Sequence, residues 1–172
     1  MPDKPYGPYV QNAYIVPDLD AAIDHWVKVM NVGPFFKFPP LEFPTGIYRG
    51  QPETIRFNAA IAYSGDLQIE LIQAAGPSIF QEAHEAGQNH VHHLCVMAND
   101  AEAAIADFEK RGGECIQRFS LEDGSICAYI DMHGADGLIV EIAYMKEEVT
   151  QLFAALKQKA AEWDGVTPLV EF

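Results

Sequence analysis

Four polar side chains stand where the surrounding sequence is apolar: Gln11, Glu70, His93 and Glu141. Glu141 interrupts the run Gly137-Leu138-Ile139-Val140-Glu141-Ile142-Ala143, and Glu70 interrupts Leu67-Gln68-Ile69-Glu70-Leu71-Ile72. An ionised carboxylate costs several kcal/mol to bury unless it is paired or bound to a cation. Each residue also has an ordinary reading. Either glutamate can face solvent from a half-exposed sheet, His93 can be a hydrogen-bonded core residue, and Gln11 can be an exposed polar group near the N-terminus. Taken together they offer one imidazole nitrogen, one amide oxygen and two carboxylates. That mixed set balances a divalent cation without choosing among Zn, Ni, Co, Mn, Fe and Mg. No cysteine completes the set, which disfavours a closed structural zinc site. On a six-coordinate ion four such donors leave room for a substrate to chelate through two adjacent oxygens.

A faint internal repeat favours the ligand reading. Asp18-Leu19-Asp20-Ala21-Ala22-Ile23 recurs as Asp100-Ala101-Glu102-Ala103-Ala104-Ile105, and the same offset carries Gln11 onto His93. Leu67-Gln68-Ile69-Glu70-Leu71 recurs as Leu138-Ile139-Val140-Glu141-Ile142, which places Glu70 on Glu141. His92 and His93 are adjacent on an alternating strand, so only one of them is expected to join a given site.

The elements that position these residues follow from periodicity and breakers. A strand is expected over Tyr9–Val16, then a helix capped by Asp18 or Asp20, with Leu19, Ile23, Trp26, Val27 and Met30 on one face. Phe35–Phe38 reads as a short strand, either lining a pocket for a bulky apolar substrate or packing in the core. The Pro- and Gly-rich stretch to about Pro52 reads as a long loop or flap. Two further strands, Ile55–Tyr63 and Leu67–Gln73, are joined by a Ser64-Gly65-Asp66 turn. A connecting segment at about 74–91 holds a short helix near Ile79–Glu85. The second copy runs from a strand at His92–Met97 through a helix at Ala101–Lys110 to strands at Cys115–Ser120, Ser125–Asp131 and Leu138–Tyr144. Turns are expected at Asp123-Gly124 and at His133–Gly137. A last helix, from Lys146 to about Trp163, presents Val149, Leu152, Phe153 and Leu156, and a mixed tail follows it.

Composition narrows the function classes. The net charge of −14, from 25 acidic and 11 basic residues, argues against nucleic acid and anionic membrane surfaces. No apolar run approaches the roughly 18 residues of a membrane span, and the N-terminal arm lacks a signal-peptide core, so a cytoplasmic protein is expected. Cys95, Cys115 and Cys127 are scattered without metal spacing and read as buried free thiols.

In the order Val16-Pro17-Asp18-Leu19-Asp20-Ala21-Ala22, Ile69-Glu70-Leu71-Ile72, His92-His93-Leu94-Cys95-Val96 and Leu138-Ile139-Val140-Glu141-Ile142, the chain resembles the vicinal oxygen chelate superfamily. That superfamily includes glyoxalases, methylmalonyl-CoA epimerases, extradiol dioxygenases and bleomycin-resistance proteins. The resemblance implies an α+β fold: two tandem βαβββ modules forming an incomplete barrel around a metal cleft, plus a C-terminal helix. It makes residues 1–172 a single domain, with module one at about 9–73, module two at about 92–144, and the C-terminal helix and tail at 145–172. It also implies one divalent metal ion held by Gln11, Glu70, His93 and Glu141, a small-molecule substrate and a homodimer. Gln, Glu, His and Glu look most like the glyoxalase I set. Epimerases usually carry His where this chain has Gln11 and often Gln where it has Glu70. Extradiol dioxygenases use two His and one Glu. The expected activity is a metal-dependent isomerase or lyase in which Glu141, with Glu70, moves a proton through an enediolate. The alternatives are a binding or sequestration protein of the bleomycin-resistance type, and then an epimerase or extradiol dioxygenase. Arg49, Arg56, Arg111 and Arg118 are candidates for holding an acidic substrate group.

Overall fold

A computed structural model describes residues 4–135 and 137–171. Met1–Asp3 of the expected N-terminal arm, Asp136 of the expected His133–Gly137 turn, and Phe172 lie outside the described residues. The elements are β1 (Tyr6–Ile15), α1 (Leu19–Lys28), β2 (Phe35–Lys37), β3 (Leu41–Tyr48), β4 (Gln51–Ser64), β5 (Leu67–Ala74), α2 (Ile79–Glu85), β6 (His93–Ala98), α3 (Ala101–Glu109), β7 (Glu114–Ser120), β8 (Ile126–Asp131), β9 (Ile139–Tyr144), α4 (Glu147–Ala161) and β10 (Leu169–Glu171).

The α+β class holds, but the expected incomplete barrel does not. Eight strands close on themselves in the order β4-β3-β7-β8-β9-β6-β1-β5, with β5 pairing back onto β4, while β2 and β10 extend from β4 as two extra strands. The difference lies in the segment expected to be a flap. Leu41–Tyr48 is a strand that pairs with β4 and reaches β7 through Ile47 opposite Arg118 and Tyr48 opposite Gln117. Pro44 does not break it because the register with β4 shifts between Phe43 and Gly46, where a missing N–H costs no ladder bond. Gly46 is needed there: a Cβ would lie 2.6 Å from the Glu53 carbonyl oxygen and 2.6 Å from Ile55 Cγ1.

The helices form where the repeat places them. Asp18 accepts from the Ala21 amide at 2.9 Å and Asp100 from the Ala103 amide at 3.0 Å, the same N-cap in each half. Helix α1 buries Leu19, Ile23 and Val27 against Ala60, Ala62, Ile69 and Leu71 on the outside of β4 and β5. Helix α3 buries Ala104, Ile105 and Phe108 against the outer residues of β6, β8 and β9. Alternation therefore turns Gln68 and Glu70, His93 and Cys95, Cys127 and Tyr129, and Glu141 to the barrel interior. Ile79 and Phe80 of α2 pack into that interior beside Ala13, Ile72 and Tyr129. Helix α4 lies over β4 with Leu156 buried against Phe36 and Ile61. Among the described residues, no helix is long and apolar enough to cross a membrane.

Candidate metal centre

Pairing brings Glu70, His93 and Glu141 together and sets Gln11 on the cavity that the two glutamates also line. Strand β1 runs parallel to β5 with Gln11 beside Gln68, and antiparallel to β6 with Ala13 beside His93. Strand β9 runs parallel to β6 and sets Glu141 beside Cys95, while β8 sets Tyr129 on its other side. Ligand atoms of Glu70, His93 and Glu141 all lie within 4.8 Å of one another. His93 Nε2 stands 3.3 Å from Glu141 Oε2 and 3.6 Å from Glu70 Oε2. Neither approach makes a hydrogen bond, so this buried nitrogen is left without a hydrogen-bond partner. Gln11, Glu70 and Glu141 face a cavity of about 420 Å³, and His93 sits fully buried behind them.

Gln11 is oriented by a chain of hydrogen bonds whose direction its far end dictates. The Phe153 carbonyl of α4 can only accept, so Tyr63 OH donates to it, at 3.2 Å. The Tyr63 oxygen then accepts from Gln68 Nε2 at 2.6 Å, which leaves Gln68 Oε1 to accept from Gln11 Nε2 at 2.5 Å. Gln11 Oε1 is the group left over: buried, lacking a hydrogen-bond donor, and an acceptor. A buried amide oxygen on the cavity and a buried imidazole nitrogen near two carboxylates, both without a hydrogen-bond partner, are groups that a hard or borderline divalent cation would satisfy.

His93 is oriented in the same manner. Its Nδ1 meets His92 Nδ1 at 2.8 Å. Burial, aided by the neighbouring His93, pulls the His92 pKa down to about 3, and the backbone of Ile79 partners the ring as well. A neutral His92 therefore accepts from His93 Nδ1–H, and this fixes Nε2 as the nitrogen turned to the carboxylates. The two rings lie on neighbouring sides because His92 precedes β6 and is not bound by strand alternation. Only His93 joins the carboxylates, and His92, occupied by His93 and Ile79, offers no second imidazole.

Charge in the cluster is divided unequally. Burial alone would lower the His93 pKa, but Glu141 and Glu70 carry it up to about 9. Burial pushes the Glu70 carboxyl above its usual range. Burial works against Glu141 too, yet His93 and a 3.0 Å hydrogen bond from Tyr129 hold that carboxyl below its usual range. Burial also raises the thiols of Cys95 and Cys127 well above the ordinary value, so both are neutral cavity residues.

Sequence reasoning did not single out Gln68, Tyr63, Tyr129 or His92 for these roles. A signal existed for two of them. Gln68 lies two residues before Glu70 on the same strand face, and Tyr129 two after Cys127. Phe38 of the expected aromatic strand lines the cavity, whereas Phe35 and Phe36 are core. The four arginines lie elsewhere, in pairs: Arg49 with Glu82 at 2.6 Å, Arg56 with Glu42 at 3.0 Å, Arg111 with Asp107 at 2.6 Å, and Arg118 with Glu102.

Solved structures share this barrel at low sequence identity. A hypothetical protein from Bacillus halodurans C-125 superposes with a TM-score of 0.60 at 16% identity, over 81% of this chain and 95% of its own. Methylmalonyl-CoA epimerase from Mycobacterium tuberculosis gives 0.60 at 15% identity, over 88% and 96%. A variant of the Streptomyces coelicolor methylmalonyl-CoA epimerase, in complex with 2-nitronate-propionyl-CoA, gives 0.58 at 15% identity, over 83% and 96%. No curated protein matches the sequence. Residues 10–129, well over half of the chain, match the family described as the Glyoxalase/Bleomycin resistance protein/Dioxygenase superfamily, and the chain belongs to it.

Proposed function

We propose that the protein is a metal-dependent isomerase or lyase that moves a proton next to a carbonyl of a small oxygenated substrate. The observation that carries this reading is the buried group of Glu70, His93 and Glu141, with the orphaned oxygen of Gln11, a residue lining the same cavity as the two carboxylates. Gln11 Oε1, Glu70, His93 Nε2 and Glu141 would hold one divalent cation. When bound, it would supply positive charge next to the two substrate oxygens as negative charge develops on them. The protein's own groups divide the proton work. Glu141, held ionised by His93 and Tyr129, is the base that takes the proton from the carbon bearing the hydroxyl. The freed electron pair forms the carbon–carbon double bond of an enediolate, with the charge on oxygen. Glu70, raised by burial, is the group suited to return a proton to carbon. Two carboxylates pushed to opposite sides of their usual range make such an acid and base pair. The glyoxalase-like assignment over an epimerase rests on Gln11 and Glu70 standing where epimerases usually have His and often Gln.

Replacing Glu141 by Gln keeps its shape and hydrogen bond to Tyr129 but removes the base. Proton exchange at the substrate carbon in deuterated water is expected to fall at least about a hundredfold, the size typical of a positioned general base, while metal stays bound. Undiminished exchange would remove Glu141 from the role. A second reading, sequestration of an apolar ligand without turnover, draws on the apolar cavity wall. It predicts ligand binding with no exchange at any metal loading. Action as a homodimer in a reducing cytoplasm is part of the proposal, in keeping with three free cysteines, and sedimentation of the purified protein tests the dimer.

A further inference from the structure

We infer that the site takes an uncharged, ring-bearing molecule with two neighbouring oxygens, and not a coenzyme A thioester or a glutathione adduct. This rests on the proposed chemistry for the paired oxygens and on the cavity for everything else. Beyond the carboxylates, the cavity wall is mostly apolar and aromatic: Phe43, Phe57 and Phe119 from the barrel, Phe38 from the segment after β2, and Leu152 and Phe153 from α4. Phe43 and Phe119 stack with ring centroids 4.2 Å apart and planes at 16°, and both line the cavity, so an aromatic guest would meet an aromatic wall. The volume of about 420 Å³ falls in the range of pockets that enclose a small organic ligand.

Charge decides between ligand classes. Coenzyme A brings phosphates and glutathione brings carboxylates, and each needs cationic partners where it is desolvated. Among the described lining residues Lys157 is the one cation, and its Nζ is 2.6 Å from Asp66 Oδ1. The arginines are paired elsewhere on the surface, away from the cavity. Three carboxylates line the cavity, Asp66 paired with Lys157, and Glu70 and Glu141 beside His93. No described lining cation is left over for a polyanion, and the net charge of −14 disfavours its approach. Helix α4 adds to the exclusion. The Tyr63 bond to the Phe153 carbonyl and the Lys157–Asp66 pair lay it along the cavity, where Leu152 and Phe153 add apolar wall and no unpaired cation.

The test is equilibrium binding by the full chain, with and without one equivalent of Zn²⁺, of benzoin, deoxybenzoin and propionyl-CoA. Benzoin carries two rings and adjacent oxygens, and deoxybenzoin has the same rings without the hydroxyl. Without metal, both aryl ketones are expected to bind alike and at least about tenfold more tightly than propionyl-CoA. Leu152 is 38% exposed, so Leu152→Glu can be folded yet sets a charge against the cavity. It is expected to weaken benzoin about tenfold or more, with an unchanged circular dichroism spectrum. Propionyl-CoA binding as tightly as benzoin, or benzoin indifferent to Leu152→Glu, would overturn the inference. Metal tightening benzoin but not deoxybenzoin supports the chelating oxygens, and no such difference refutes that part. Tight aryl binding without proton exchange in benzoin counts against the isomerase reading alone and leaves the apolar-ligand claim standing.

Discussion

Replacing Tyr63 by Phe removes one hydroxyl that touches none of the candidate ligands directly, and is expected to weaken metal binding. In the native chain the Phe153 carbonyl forces Tyr63 to donate to it. Gln68 must then turn its amide nitrogen to Tyr63, and Gln11 must turn its nitrogen to Gln68. Without the hydroxyl, both amides can flip together and keep the bond between them. Gln11 then turns an N–H donor toward Glu70 and Glu141, which welcome it, and a cation must undo that arrangement. The native bias amounts to about one hydrogen bond between buried groups, roughly 1 to 1.4 kcal/mol, or about five- to tenfold in metal affinity. Calorimetric titration with Zn²⁺ and with Co²⁺ reads the change directly. Tyr63→Phe also loosens α4, so Lys157→Ala is the control. It breaks the exposed pair with Asp66 that holds the same helix, and should leave metal affinity within about twofold. Equal affinity in Tyr63→Phe and the native protein would refute the orienting chain, as would an equal loss in Lys157→Ala.

Metal affinity should climb with pH. His93 is protonated up to about 9 in the absence of metal because Glu141 and Glu70 favour its cation, and a metal must displace that proton. The apparent association constant is therefore expected to rise about tenfold per pH unit from neutrality and to flatten near 9. A flat profile between pH 7 and 9 would contradict the assignment of His93 as a ligand. The same raised pKa makes folding without metal most favoured by His93 below its unfolded value near 6.5, with that contribution lost as pH passes about 9. Gly46→Ala places a Cβ 2.6 Å from the Glu53 carbonyl oxygen at the bulge between β3 and β4. It should cost roughly 1 to 3 kcal/mol, seen as a lower denaturant midpoint at unchanged slope. An unaltered midpoint would mean that the bulge yields freely.

The grouping of Glu70, His93 and Glu141 was more legible in the sequence than the closure of the fold. Carboxylates inside apolar strands advertise themselves through the cost of burying them, and the repeat tied Glu70 to Glu141 and Gln11 to His93. An N-cap is a local device, so the sequence narrowed the first cap to Asp18 or Asp20, of which Asp18 makes the bond. Closure of the barrel depends on Leu41–Tyr48, whose Pro44 and Gly46 signal a loop to any local rule. Only the long-range pairing with β4 and β7, which sets the bulge at those two residues, makes a strand of it. The orienting partners were hidden for a related reason. Gln68, Tyr63 and the Phe153 carbonyl come from two strands and a distant helix, so their contact is a property of the assembled barrel. His92 escaped because alternation was applied one residue before the strand begins.

Metal content tests the central claim most directly. Protein purified without chelator, and then loaded with a divalent metal and desalted, should retain close to one equivalent by elemental analysis. His93→Ala and Gln11→Ala should each retain less in proportion to their weakened affinity. Fewer than about 0.2 equivalents in the native protein under saturating metal, or full retention in His93→Ala, would contradict a metal centre built from these four residues.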